Sequence, residues 1–521
     1  MKRQEWASKL GVVLAVAGSA VGLGNFLRFP SVATQNGGGV FLIPYFIAFL
    51  LLGIPMCWIE WGMGRYGGKY SHGSAPGILD AIGERKRSEA KYLGAIGIFG
   101  PLLIFFYYVV IESWTLGYAF YSLNGSVAAA AQKDQIVEFF NGYTGIKSNS
   151  IFPTITPMYA IFLITFVVNL AVLYLGISKG IETVNKIAMP MLVVVGIILA
   201  VRVLTLGAPD AQHPDWNVNA GLGFMWNPDF TKLTNPKVWL AAAGQIFFTL
   251  SVGIGVILTY ASYLKPKDDV ALSGLSAASA NEFMEVVIGG SIVIPAAVVF
   301  FGSVKAVEIA QSSTFSLGFM TMPLIFAKMT GGPFFSFLWF LLLFLAGLTS
   351  SISILQPAIS FLEDEYHYSR RRSLLLTGLV CFLFSQLAIF GITKGFVDEM
   401  DFWGGNILLV IFALIEVIYF AWVFGIERGW EELHRGADIK IPRLYRPIIK
   451  YITPLYIIII MSAYLYSNFR GFVLMEAYGK TWIERMPVLI LRLALFICFL
   501  FVCYLINVAW RRHAREGRFS S

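Results

Sequence analysis

Apolar residues run in long, nearly unbroken stretches along this chain, parted by short segments that hold most of the charge. Crossing a bilayer takes about 20 residues at helical rise, and about twelve stretches meet that length. They fall near residues 9–33, 39–67, 90–122, 157–175, 184–205, 237–261, 271–303, 332–364, 370–391, 402–424, 444–467 and 485–510. The longer polar segments 123–156, 206–236 and 304–331 fall on one side of the membrane, and the connections on the other side are mostly short and basic. Within 206–236, Pro209 to Asn227 is rich in Pro, Asp, Asn and Trp and predicts irregular loop. The pattern predicts an all-α polytopic membrane protein whose single domain takes up 1–521.

Two spans depart from a plain apolar helix. The first contains Gly18-Ser19-Ala20-Val21-Gly22-Leu23-Gly24-Asn25, and the sixth contains Phe248-Thr249-Leu250-Ser251-Val252-Gly253-Ile254-Gly255. Each sets closely spaced glycines beside polar residues at mid-span. Glycine costs about 1 kcal/mol against alanine inside a helix, so these stretches resist unwinding poorly. Close helix packing is the alternative for the first, where Gly18 and Gly22 form a GxxxG pair. The positions of the two breaks favour unwinding, because spans one and six correspond if the chain is two five-helix repeats plus two further helices. Interrupted helices at matching places in two halves point to a transporter's binding site.

Composition agrees with a membrane solvent: 57% of residues are hydrophobic and only 13% charged, with a mean hydropathy of +0.70, against roughly 25% charged in soluble domains. The formal charge of +8 raises the question of nucleic acid, which the placement of the cations answers. Lys2, Arg3 and Lys9 precede the first span, Arg85, Lys86, Arg87 and Lys91 follow the second, and Lys265 and Lys267 follow the sixth. Arg370 to Arg372 follow the eighth, Arg428 to Lys450 the tenth, and Arg511, Arg512, Arg515 and Arg518 the last. If the spans alternate, all of these share one face, and the positive-inside rule puts both termini in the cytoplasm. Cys57, Cys381, Cys498 and Cys503 lie in apolar stretches without paired spacing, and His72, His213, His367, His434 and His513 are scattered, so neither a disulfide framework nor a metal enzyme is indicated. The basic start and small residues through Ala20 imitate a signal peptide, but the apolar run continues to Arg28-Phe29-Pro30 and reads as the first transmembrane helix.

The run Ala20 to Pro30 followed by Asn36-Gly37-Gly38-Gly39 resembles the first-helix signature of the neurotransmitter:sodium symporters, and Gly244 to Ser251 and Ala346 to Ser351 resemble that family's sixth and eighth helices. The resemblance covers nearly the whole chain and is nearest to the bacterial leucine-transporter type. It implies twelve helices in two inverted five-helix repeats (9–205 and 237–424) with helices 1 and 6 broken, followed by helices 11–12 (444–510). It further implies a multi-pass protein of the bacterial inner membrane that imports a neutral amino acid with sodium by alternating access and is not an enzyme. Its partners would be the amino acid, sodium and the lipid bilayer, without nucleic acid.

By the same resemblance, backbone N–H groups of Leu23 and Gly24, beside Gly22, would meet the substrate carboxylate, as a half-helix N-terminus binds anions. Tyr108 would add its hydroxyl, and carbonyls around Ala20, Phe248, Thr249 and Ser251 would face the ammonium. Sodium, a hard cation, prefers oxygen ligands. The first ion would take the Ala20 and Thr249 carbonyls, the Thr249 hydroxyl, the Asn25 and Asn281 side chains and the substrate carboxylate. The second would take the Gly18, Val21 and Ala346 carbonyls with the Thr349 and Ser350 hydroxyls, for which a back-bond to the preceding turn is the plain alternative.

Asn281 and Glu285 share one face of the seventh span at i and i+4. Relatives that need chloride carry a small hydroxyl residue at the place of Glu285, so its carboxylate implies transport without chloride. Arg28 and Asp401 resemble an outer gate with Phe248 as lid. Arg3 and Asp364 resemble an inner latch, with Trp6, Ser262, Tyr263 and Gln356 around it. Glu60 would steady the broken segments, although an ordinary interhelical hydrogen bond explains it equally well. The side-chain pocket would be lined by Val21, Ile104, Tyr108, Phe248, Ser251, Ile254, Ser350 and Ile354, mostly apolar and without a second charge, which favours an aliphatic substrate of valine to methionine size. Ile254 in place of an aromatic residue, Ile104 in place of valine and Ser19 in place of asparagine depart from the leucine-transporter pattern, and the first two put leucine itself in doubt.

Other classes find less support. Nothing resembles a potassium-channel filter, no HExxH or GxSxG is present, and Gly479-Lys480-Thr481 lacks the first glycine of a P-loop, where Leu474 stands. A membrane sensor that binds an amino acid without moving it shares the same site residues.

Overall fold

The computed structural model describes residues 4–84, 89–312 and 316–516. Ten helices among them are long and apolar enough to cross a membrane: Gly39–Gly68, Ala90–Leu123, Thr156–Tyr174, Ile177–Leu204, Ala271–Gln311, Gly332–Tyr366, Arg370–Phe390, Phe396–Val423, Tyr445–Val473 and Trp482–Arg515. The first and sixth expected spans are the exceptions, and both are interrupted. Lys9–Ala20, Leu23–Phe26 and Arg28–Gln35 make up the first, and Pro236–Thr249 and Val256–Ala261 the sixth. The all-helical, twelve-span architecture read from the apolar pattern therefore holds.

Burial sorts these helices from centre to rim. In Ala90–Leu123, 94% of the most apolar stretch is buried, against 22% in Trp482–Arg515. The third span, packed along Gly332–Tyr366, thus forms the inner wall, while the last two spans expose Ile459, Leu493, Phe496 and Leu500. Such exposed apolar faces are suited to lipid, where every backbone group must already be paired within the helix.

The expectation of irregular loop between Pro209 and Asn227 is overturned in its second half, where Val218–Trp226 is helical. The Asn217 side chain caps it by accepting from the Ala220 N–H at 2.9 Å. Val218, Gly221 and Met225 form its buried face, with Gly221 against Pro295. Its two glycines read as loop signals in sequence, yet Gly221 serves close approach to the seventh span.

On the face that carries the chain termini, the second span is anchored by fully buried Arg65. Its Nε donates to Glu432 Oε1 at 3.0 Å, and its two Nη atoms reach the Asp268, Glu432 and Arg435 carbonyls. Just beyond that span, His72 Nδ1 lies 2.8 Å from Glu365 Oε1, and His513 Nδ1 lies 3.6 Å from the other oxygen. Burial alone would hold the His72 imidazole neutral. The Glu365 carboxylate, with Asp364 and Asp80 farther off, outweighs it and raises the pKa above the ordinary value. A histidine raised in the folded state adds stability that is complete below about pH 6.5 and is lost as pH climbs through the raised value. The thermal midpoint in detergent should fall as pH rises above about 6.5, and His72→Gln should remove that part of the decline; a variant with the parental pH profile would refute this account.

Candidate functional site

Unwinding in the first span takes two residues. Val21 has ψ 89° and Gly22 is extended at φ −120°, ψ −166°, after which the chain re-enters a helix at Leu23. The Gly22 N–H, released from the ladder, donates to Asn25 Oδ1 at 2.8 Å, and the Leu23 N–H donates to the Tyr108 hydroxyl at 3.2 Å. In the sixth span the break runs from Leu250 to Gly255, with Ser251, Gly253 and Gly255 at φ 53°, 74° and 76°. Glycine takes such angles without the steric cost a side chain would bring. The Gly253 N–H donates to Glu60 Oε1 at 2.5 Å, so the second-span carboxylate does hold a broken segment.

The two breaks face each other. The Ser19 carbonyl accepts from the Ser251 hydroxyl and from the Ser350 hydroxyl, each at 3.0 Å. Around this junction lies a cavity of about 50 Å³ lined by Ala20, Gly22, Gly24, Ile104, Tyr108, Phe248, Thr249, Ser251, Ile254, Ser350 and Ile354, all expected there. Ser19, Asn25, Gly405 and Leu409 complete its wall. Val21 is fully buried outside that wall, and Leu23 lines the wider cavity beyond it. A Cβ on Gly22 would sit 2.8 Å from Ser350 Oγ and 3.0 Å from the Tyr108 hydroxyl, so only glycine leaves this approach open.

Two groups of oxygens flank the cavity. In one, Asn25 Nδ2 donates to Asn281 Oδ1 at 2.8 Å and Glu285 Oε2 at 3.0 Å, and Asn281 Nδ2 donates to Thr249 Oγ1 at 3.0 Å. Gln245 Nε2 donates to Glu285 Oε1 at 2.8 Å, and the Thr249 hydroxyl also reaches the carboxylate. In the other, Thr349 makes the back-bond that its residue type favours, to the Leu345 and Ala346 carbonyls at 3.1 Å. Ser350 instead crosses to the first span, at 3.0 Å from the Ser19 carbonyl and 3.5 Å from that of Gly18. Both groups are buried and made of hard oxygen donors, the chemistry that a small alkali cation requires.

A cavity of about 560 Å³ opens above Phe248, lined by Leu23, Gly24, Arg28, Tyr107, Tyr108, Asp401 and Asn406 among others. The Arg28 guanidinium carbon sits 4.1 Å from the centroid of the Phe248 ring. Arg28 and Asp401, expected as an outer gate, do not pair directly in this structure. Asn406 stands between them: its Oδ1 accepts from Arg28 Nη2 at 3.1 Å and its Nδ2 donates to Asp401 Oδ2 at 3.1 Å. The Tyr107 hydroxyl donates to Asp401 Oδ1 at 2.7 Å. Direct pairing is left unmade because a neutral amide satisfies each charge while the cavity stays open.

At the termini side, Arg3 lies outside the described residues, so its expected pairing with Asp364 does too. Trp6 Nε1 donates to the Tyr260 carbonyl at 2.9 Å, and Gln356 Nε2 donates to the Tyr263 and Ser360 hydroxyls at 3.2 and 3.0 Å. Ser262 donates to the Thr259 carbonyl of its own helix at 2.6 Å. Arg370 joins from the ninth span, at 2.9 Å from Gln356 Oε1 and 3.3 Å from Glu363. The start of the first span is also tied to the fifth. Glu182 accepts from the Ala7 N–H and the Ser8 hydroxyl at 2.8 Å each and pairs with Lys186 at 2.7 Å, and Gln4 Oε1 accepts from the Ile177 N–H at 2.7 Å.

Sequence reasoning passed over Tyr107, Asn406, Arg370 and the buried carboxyls of Glu112 and Glu416. A charged or amide group inside an apolar run is itself a signal of function, and it would have found Asn406, Glu112 and Glu416. Glu112 accepts from Asn169 Nδ2 at 3.1 and 3.2 Å, and Glu416 lies beside Glu60.

Residues 3–138 and 124–509 match the model of the sodium:neurotransmitter symporter family. An uncharacterized sodium-dependent transporter of Methanocaldococcus jannaschii is 31% identical over 92% of this chain and 93% of its own length. A sodium-dependent dopamine transporter of Caenorhabditis elegans is 28% identical over 82% of this chain and 74% of its own. Among solved structures, MhsT in complex with L-phenylalanine superposes with a TM-score of 0.74 at 29% identity, covering 88% of this chain and 99% of that one. With its broken first and sixth spans and its family match over nearly the whole length, the chain belongs to the sodium:neurotransmitter symporter family, whose members are membrane transporters and not enzymes.

Proposed function

We propose that this sodium-dependent symporter of the bacterial plasma membrane imports a neutral, aliphatic L-amino acid by alternating access and needs no chloride, with both termini in the cytoplasm. The observation that carries the reading is the meeting of two mid-membrane breaks around one small cavity, where the Ser251 hydroxyl of the sixth-span break and the Ser350 hydroxyl of the eighth span converge on the Ser19 carbonyl. In this reading the Leu23 and Gly24 N–H groups and the Tyr108 hydroxyl receive the substrate carboxylate, and carbonyls of the broken stretches face its ammonium. Ala20, Asn25, Thr249 and Asn281 would hold one sodium together with that carboxylate. Gly18, Val21, Ala346, Thr349 and Ser350 would hold a second. Bound sodium supplies positive charge against the carboxylate, which couples the substrate to the ion gradient.

Ile104, Ile254 and Ile354 give the cavity its aliphatic character. An aromatic substrate is the second reading. It draws on the L-phenylalanine bound to MhsT and on the walls of Gly24, Tyr108 and Phe248 that the small cavity shares with the larger one. Reconstituted vesicles with an imposed sodium gradient, tested with each of twenty labelled amino acids, separate these readings. Uphill, sodium-dependent uptake of valine- to methionine-sized substrates is expected. Uptake competed only by phenylalanine, tyrosine and tryptophan selects the second reading, downhill flux alone means a channel, and binding without flux means a sensor.

Tyr108→Phe removes one hydrogen bond to a charged group, a loss of about 1.5–3 kcal/mol, or roughly tenfold to a hundredfold in affinity. Scintillation proximity binding should show that weakening at saturating sodium; unchanged affinity would remove Tyr108 from the carboxylate's partners.

In this reading chloride independence rests on Glu285, whose carboxylate, set among Gln245, Asn25 and Thr249, would supply the negative charge in place of the anion. Replacing chloride with gluconate at constant sodium should leave uptake unaltered in the parent. In Glu285→Ser the lost charge should make uptake fall several-fold on the same replacement, and a parent that stops in gluconate contradicts the assignment.

A further inference from the structure

The fifth span carries a buried oxygen that none of the roles above uses. Asn185, in the first turn of the regular helix that follows Ile177–Glu182, is fully buried, and its Oδ1 has no hydrogen-bond partner among the described residues. Its orientation is decided by the other end of the amide. Asn185 Nδ2 donates to the Ile181 carbonyl at 2.9 Å, and reversing the group would set oxygen against oxygen. The Oδ1 end therefore faces the first span, where it abuts Gly18. A Cβ on Gly18 would overlap that oxygen and would lie 3.3 Å from the Thr349 Cβ. Asn185 Oδ1, Gly18 and Thr349 thus meet where the fifth, first and eighth spans pack together.

A buried amide oxygen without a donor is unfavourable, and most such groups in folded proteins find a partner. An alanine or valine at 185 would fill the same wall without leaving an orphan. A cation satisfies the oxygen where no N–H or O–H is at hand. The Gly18 carbonyl and the Thr349 hydroxyl already belong to the oxygens read above as holding the second sodium, and a neutral amide oxygen suits a hard monovalent ion without trapping it by charge.

We propose that Asn185 Oδ1 is a further ligand of that second sodium, so that the ion joins the fifth span to the first and eighth. The proposal rests on the second-ion reading. Sodium is titrated into the purified full-length protein in detergent, without substrate, and the thermal midpoint is followed. Losing a ligand should raise the half-saturating sodium concentration roughly tenfold in Asn185→Ala, the lower end of what lost support at a metal site costs. Asn185→Asp keeps an oxygen and adds charge, so its half-saturating concentration should fall below the parent's. Thr349→Val tests the site independently of Asn185 and should raise it as well.

A purely structural Asn185 would give a lower melting temperature at every sodium concentration with an unmoved half-saturation point. That result in Asn185→Ala, alongside a shift in Thr349→Val, overturns the proposal and leaves the second site standing. An unmoved half-saturation point in Thr349→Val overturns the site and the proposal together. Should Asn185→Ala fail to fold, Asn185→Asp decides: a fall supports the ligand role, and an unchanged or raised value ends it.

Discussion

Two helices give up their hydrogen-bond ladders at membrane depth, where no lipid atom can take the place of water. Backbone groups released there must find partners in protein or in what the protein carries. The surroundings answer this demand one group at a time. Asn25 receives the Gly22 N–H, Tyr108 that of Leu23, and Glu60 that of Gly253. The Ser19 carbonyl is met by two hydroxyls. Each partner comes from a side chain that would be costly in hydrocarbon by itself, so the polar residues and the breaks justify one another, and neither would persist alone.

This interdependence explains what could be read in the sequence. Span length and charge placement are properties of the solvent, and they gave the architecture directly. The glycine pairs and neighbouring polar residues marked both breaks, whereas the cavity wall, with Ile104 and Tyr108 from the third span and Ser350 and Ile354 from the eighth, was implied only by the family resemblance. Interactions between distant segments were harder to foresee. Arg28 inside an apolar run demanded a partner, and Asp401 was a sound choice by charge, yet the contact runs through Asn406. Tyr107 adjoins Tyr108 in sequence but bonds Asp401 where Tyr108 meets Leu23, because neighbours on a helix point about 100° apart. The helix Val218–Trp226 escaped notice because its glycines signal a loop until the proline they pack against is known.

The two ends of the path are held differently. Toward the wide cavity, one neutral amide bridges an arginine and an aspartate, and the phenylalanine lid stacks beneath the guanidinium. The link between these two charges is thus one amide, Asn406. Toward the termini, tryptophan, tyrosine, glutamine and serine groups interlock in a buried network with no such single link. Opening that side means breaking several bonds together.

Glu182 gives this asymmetry a mechanical consequence. Its carboxylate holds the Ala7 N–H and the Ser8 hydroxyl, and its helix begins in a π-helical segment just after Gly176 at φ 82°. A π-turn holds more residues than an α-helical turn and departs from its ladder. The start of the first span is thus moored through Glu182 to an irregular length of the fifth, and the turn that follows sets Asn185 against Gly18.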